Sequence, residues 1–77
     1  MTALRKPRRN ADYRWTSAKV LSFLDALART GSVAQAARSV GMSRQSAYRL
    51  RARSGAHFAG VWDEGLALAH MVRQGAR

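Results

Sequence analysis

The sequence predicts an all-α domain, a bundle of three to four short helices. Three observations carry that prediction. Apolar residues recur at i, i+3/i+4 and i+7, the spacing of one helix face, over residues 20–28 and 58–72. Thr16, Ser32 and Ser43 stand where helix caps belong. Gly31, Gly41 and Gly55 stand where helices stop or turn.

The first helix is expected at about 16–30. Thr16 is its cap, and Trp15 before it suits a hydrophobic staple against Val20. Val20, Leu21, Leu24, Leu27 and Ala28 form its expected apolar face, and Gly31 ends it. A second, short helix is expected at about 32–40. There Ser32 and Gln35 have the spacing of a capping box. Gly41-Met42-Ser43 reads as a tight turn, because glycine alone accepts positive φ at little cost. Ser43 then caps a third helix, about 44–53, which Gly55 terminates.

The fourth helix is expected at about 57–73. Phe58, Val61, Trp62, Gly65, Ala69 and Val72 fall on its apolar face. Gly60 and Gly65 each cost about 1 kcal/mol relative to alanine, unless close helix approach requires them. Leu66 and Leu68 broaden the face, and Met71 lies outside it. This surplus is either a homodimer surface on the C-terminal helix or the ordinary exposed apolar residues of a small domain.

Residues 1–14 read as a basic flexible arm and residues 15–73 as the helical domain. The arm holds Arg5, Lys6, Arg8, Arg9 and Arg14 against Asp12, carries the only proline, and lacks an apolar period. It is expected to be a solvated tail in the free protein and to order on a polyanion.

Bulk composition narrows the function. The chain has 77 residues, one domain at most. A domain of this size buries roughly 60% of the surface its unfolded chain exposes, leaving little room for a catalytic cavity. With no cysteine, disulfides, thiolate zinc sites and cysteine nucleophiles are excluded. Fourteen Lys+Arg against four Asp+Glu give a net charge of +10. Arginine dominates those cations, and its planar fork suits phosphate and guanine. A field of this sign points to a polyanionic partner: DNA, RNA or an anionic membrane. No apolar stretch reaches a membrane span, and no apolar h-region follows the basic N-terminus.

Residues 33–52 supply the sharper signal. Ala37 is small where a crossing helix must approach, and Gly41 follows at the turn. Ala36, Val40, Met42, Ala47 and Leu50 are apolar at spacings that pack two helices at a steep angle. The expected fold is therefore an all-α bundle containing a helix-turn-helix at residues 32–53. After Gly55 the pattern stays helical, so no wing is expected.

A helical wheel then assigns roles. Ala47 and Leu50 define the inner face of the third helix, so Gln45 and Ala52 point outward, flanked by Tyr48 and Arg49. Arg44 sits nearby at the N-terminal end. Arg44 and Arg49 suit bidentate contacts to guanine O6/N7, and Gln45 suits adenine N6/N7. Tyr48 suits a thymine methyl or a phosphate. Ser43, with the N–H groups of the helix start, suits a phosphate. Arg38, Arg51 and Arg53 are expected to clamp the backbone, as are Arg5, Lys6, Arg8 and Arg9 from the arm.

The segment TGSVAQAARSVGMSRQSAYRLRAR, residues 30–53, resembles the winged and simple helix-turn-helix domains of bacterial transcription regulators. It is also similar to the DNA-binding domain at the front of phage terminase small subunits. There the recognition helix is often followed by an aromatic, a tryptophan and an acid, matched here by Phe58, Trp62 and Asp63 in FAGVWDEGLALA. The resemblance spans about residues 15–69. It implies sequence-specific binding of double-stranded DNA, most simply by a transcription regulator of a bacterium or phage. The alternative is the recognition module of a terminase small subunit or a transposase. A cytoplasmic, nucleoid-associated location follows. The oligomerisation region usual in terminase small subunits has no counterpart here, and nothing clearly caps the chain beyond Gly75. A piece of a longer protein would end in this way.

Other classes fare worse. The arginines do not line one face of an amphipathic helix, as a membrane-surface peptide requires. No Ser/His/Asp set, paired carboxylates or P-loop is present, so an enzyme is not expected. His57 and His70 lack a third ligand at metal-site spacing and read as surface residues. No cofactor is expected.

Overall fold

The computed structural model describes residues 14–75, with the side chains described through Arg73. The basic cluster Arg5, Lys6, Arg8 and Arg9 lies outside the described residues. Four helices follow in order: α1 (Ser17–Thr30), α2 (Val33–Ser39), α3 (Arg44–Ser54) and α4 (Ala56–Gly75). Among the described residues there is no strand, so the domain is an all-α bundle.

The caps form largely as the sequence predicts. Thr16 Oγ1 accepts from the Lys19 N–H at 3.2 Å, Ser32 Oγ from the Gln35 N–H at 3.2 Å, and Ser43 Oγ from the Ser46 N–H at 3.0 Å. The reciprocal half of the expected capping box is replaced. The Ser32 N–H donates to Thr30 Oγ1, not to the Gln35 side chain, because only one residue separates α1 from the α2 cap. Thr30 thus serves the start of α2 from the end of α1.

Glycine sets two of the turns. Gly31 has φ +68° and donates its N–H to Leu27 O at 2.8 Å, closing α1 with a left-handed residue. Gly41 has φ +74°. Its N–H reaches Arg38 O at 3.0 Å, while the Met42 N–H reaches Ala37 O at 2.9 Å. That pair of bonds is a Schellman motif, and it leads straight into Met42, whose side chain is buried.

Each helix packs on two neighbours: α1 on α2 and α4, and α3 on α2 and α4. The core joins Phe23, Ala26, Leu27, Ala36, Ala37, Ala47 and Trp62. Helices α1 and α4 run in the same direction, with Phe23 beside Trp62, Ala28 beside Gly65 and Gly31 beside Ala69. At the far end Arg73 donates to the Thr30 carbonyl at 2.9 Å, satisfying an α1 carbonyl that has no helical partner.

Two expected faces shift. On α1, Leu21 is 68% exposed, and Phe23, absent from the expected face, is fully buried. The buried stripe centres on Phe23, Ala26 and Leu27, because the partner is the large Trp62 ring, 5.1 Å from Phe23. On α4, Trp62 and Ala69 are buried and Phe58 and Leu66 pack against the core. Val61 and Val72 lie on a flank instead and are 37% and 63% exposed.

The five aromatic side chains among the described residues form one chain of contacts. Trp15 meets Phe23 edge-on at 5.5 Å, and Phe23 meets Trp62. Tyr48 and Phe58 reach Trp62 at 5.4 and 6.2 Å. Such pairs add about 0.5–1.5 kcal/mol each beyond area burial. Trp15 reaches past the first turn of α1, and its indole Nε1–H donates to Ser46 Oγ on α3 at 2.9 Å. Both tryptophans are therefore occupied by packing.

Candidate nucleic-acid interface

Helix α3 is held on three sides. Ala47 and Leu50 bury its inner face. Ser46 ties one margin to Trp15, while Tyr48 and Arg51 tie the other to α4. What remains free is the face carrying Arg44, Gln45, Arg49, Ala52 and Arg53, all exposed. The helix contains no acidic residue.

This free face is cationic and unpaired. Among the described residues, the side chains of Arg44, Arg49 and Arg53 engage no hydrogen bond or ion pair, and nor does that of Arg38 on α2. Long cations with no internal partner keep their full capacity for phosphate or base edges. Gln45 sits in the first turn, next to Arg44. Arg49 lies one turn further on, at i+4 from Gln45, so the two share a face.

Ser43 opens α3 as its N-cap. Its hydroxyl is used internally, accepting from the Ser46 N–H. The Ala47 N–H goes to Ser43 O at 3.1 Å, the first helical bond of α3. The Arg44 and Gln45 N–H groups point out of the start of the helix, where its dipole favours an anion.

One expected contact residue is engaged elsewhere. Arg51, expected as a backbone clamp, is turned toward α4. Its Nη2 donates to both oxygens of Asp63, at 2.9 and 3.1 Å, and its guanidinium lies 5.6 Å from the Trp62 ring centroid. Its Nε is buried without a partner. The cause is Asp63, about two turns into the helix that α3 must pack against. Tyr48 is 49% exposed, with its ring tilted against Trp62, so its phenol is presented from a fixed base.

Among the described residues no three His, Cys, Asp or Glu side chains gather at metal-binding distance. Among them, too, no helix is long and apolar enough to cross a membrane. A shallow groove between the start of α1 and α3 is lined by Trp15, Val20, Leu21, Leu50 and Arg53. It offers one cation and otherwise mostly apolar walls. No protein-family model, curated protein or solved structure matches the chain.

Proposed function

We propose that this chain binds double-stranded DNA in a sequence-specific way, with α2 and α3 acting as a helix-turn-helix and α3 as the recognition helix in the major groove. One observation carries the reading. The face of α3 left free by packing is the face that presents Arg44, Gln45, Arg49 and Arg53, without an acid or an internal partner.

The roles follow from geometry and base chemistry. Gln45 and Arg49 sit at the centre of the free face and read base edges: adenine for the amide, guanine for the guanidinium. Arg44 reads an adjacent base from the first turn. Arg53 and Arg38 lie further out and neutralise phosphates. The N-terminus of α3 at Ser43 receives one phosphate through backbone N–H groups. Tyr48, braced on Trp62, contacts the sugar-phosphate edge or a thymine methyl. Arg5, Lys6, Arg8 and Arg9 add salt-dependent affinity from the sequence preceding the domain. Arg51 supports the site by fixing α3 on α4, its guanidinium held by Asp63.

In this reading the protein acts by occupying a site, as a transcription regulator does. Selection from a pool of random duplexes, followed by a mobility-shift titration, tests it. A common sequence should emerge and bind about 10³-fold or more tighter than its scramble. Recovery of unrelated sequences with equal affinity would reject specific recognition.

A further inference from the structure

A second surface of the molecule is the chemical opposite of the α3 face. We infer that the exposed flank of α4 is the contact between two copies of this chain, in an antiparallel, two-fold arrangement centred near Leu68. Two independent observations carry this. The first is an apolar stripe: Leu68, Met71 and Val72 are 53%, 68% and 63% exposed, and Val61 extends the stripe toward the start of the helix. The second is charge. Residues 54–72 contain no lysine or arginine, in a chain that carries fourteen of them.

The charge pattern selects the occupant. Two copies at +10 each repel over most of their surface. They approach at least cost where cations are missing. The α4 flank is such a place, and it carries Glu64, which has no ion-pair partner among the described residues. The same feature argues against a nucleic acid or an anionic membrane on this flank, since neither finds a cation there.

Geometry selects the arrangement. A two-fold contact uses the same patch twice, so it must be self-complementary. Antiparallel helices crossing near Leu68 set Leu68 against Leu68 and carry Met71 and Val72 of each copy past the Glu64–Gly65 turn of the other. The two Glu64 carboxylates then stand apart on either side of the crossing. A parallel arrangement would stack Glu64 on Glu64 and align the helix dipoles. The contact also leaves α3 open. Asp63 marks the side of α4 turned toward α3, and Leu68 lies about 140° around the helix from it.

One helix on one helix buries less than the roughly 1,200–2,000 Å² of a stable complex, so the dimer forms in a concentration-dependent way. The inference concerns the free protein and does not depend on DNA binding. Sedimentation equilibrium of the full chain without DNA, over micromolar to millimolar concentration, tests it. The mass should rise from 8.5 kDa toward twice that value. Leu68→Glu, at an exposed position that keeps the core intact, should weaken association about tenfold or more, with an unchanged helical circular-dichroism spectrum. Met71→Gln serves as the milder second variant and should weaken it in the same direction. A monomer throughout the range overturns the inference. So does a dimer that both variants leave unchanged, or a wild-type chain that stays monomeric while binding vesicles or another protein through this flank.

Discussion

Arg51 of α3 and Asp63 of α4 form an ion pair in which one guanidinium nitrogen bridges both carboxylate oxygens, at 2.9 and 3.1 Å. The pair lies beside the Trp62 ring, so the cation is also held by the aromatic face. Arg49, two residues earlier on the same helix, has no such partner among the described residues. Two arginines that look alike in the sequence therefore have different work.

That difference gives a paired prediction. Arg51→Ala should lower stability by about 1 kcal/mol, combining a part-exposed ion pair with a cation–π contact. In a domain this small, that is a drop of roughly 4–8 °C in Tm. Arg49→Ala should change stability by no more than about 0.5 kcal/mol, as exposed substitutions usually do. Thermal melts by circular dichroism separate the two. Equal losses would contradict the assignment.

Asp63→Asn should free Arg51 to meet phosphate. The expected outcome is a small loss of stability, up to about 1 kcal/mol, with tighter binding to DNA of any sequence. The slope of log affinity against log salt should steepen by about 0.9, the value of one additional phosphate contact. An unchanged slope would show that Arg51 stays on Trp62 without its carboxylate.

The glycines divide by environment. A Cβ on Gly60 meets nothing within 4 Å, so Gly60→Ala should stabilise α4 by about 0.5–1 kcal/mol. A Cβ on Gly65 would stand 3.8 Å from the Ala28 nitrogen, an ordinary contact, so Gly65→Ala should also be tolerated. Gly31→Ala should cost more than about 1 kcal/mol. It meets Ala69 Cβ at 3.2 Å and forces an L-residue to φ +68°. Urea titrations of the three variants give the order directly.

The aromatic chain sets the fold's tolerance. Trp62→Ala or Phe23→Ala should cost about 3–5 kcal/mol, much of the total stability of a domain this size. Ser46→Ala is milder, about 1 kcal/mol, because it leaves the part-buried Trp15 indole N–H without its acceptor. Quenching of Trp15 by iodide should rise in that variant.

Much of this was legible in the sequence. Caps at Thr16, Ser32 and Ser43 and stops at Gly31 and Gly55 are local features, set by nearby backbone chemistry, and they placed the helices to within a residue or two. The inner face of α2 and α3 was legible because small residues and the glycine turn constrain it tightly. The α1 face was less so. Residues 20–28 carry two overlapping apolar stripes, and only the position of Trp62 on a distant helix decides for Phe23 over Leu21. Arg51 illustrates the same limit: its fate depends on Asp63, twelve residues away, and no feature of α3 alone distinguishes it from Arg49.

The most direct measurement is fluorescence anisotropy of the wild type, Gln45→Ala and Arg49→Ala on a selected duplex and on its scramble, at one fixed salt concentration. Each variant should lose about 1–3 kcal/mol on the selected duplex and much less on the scramble, so that the preference between them shrinks. Variants that bind both duplexes as the wild type does would show that the free face of α3 does not read DNA.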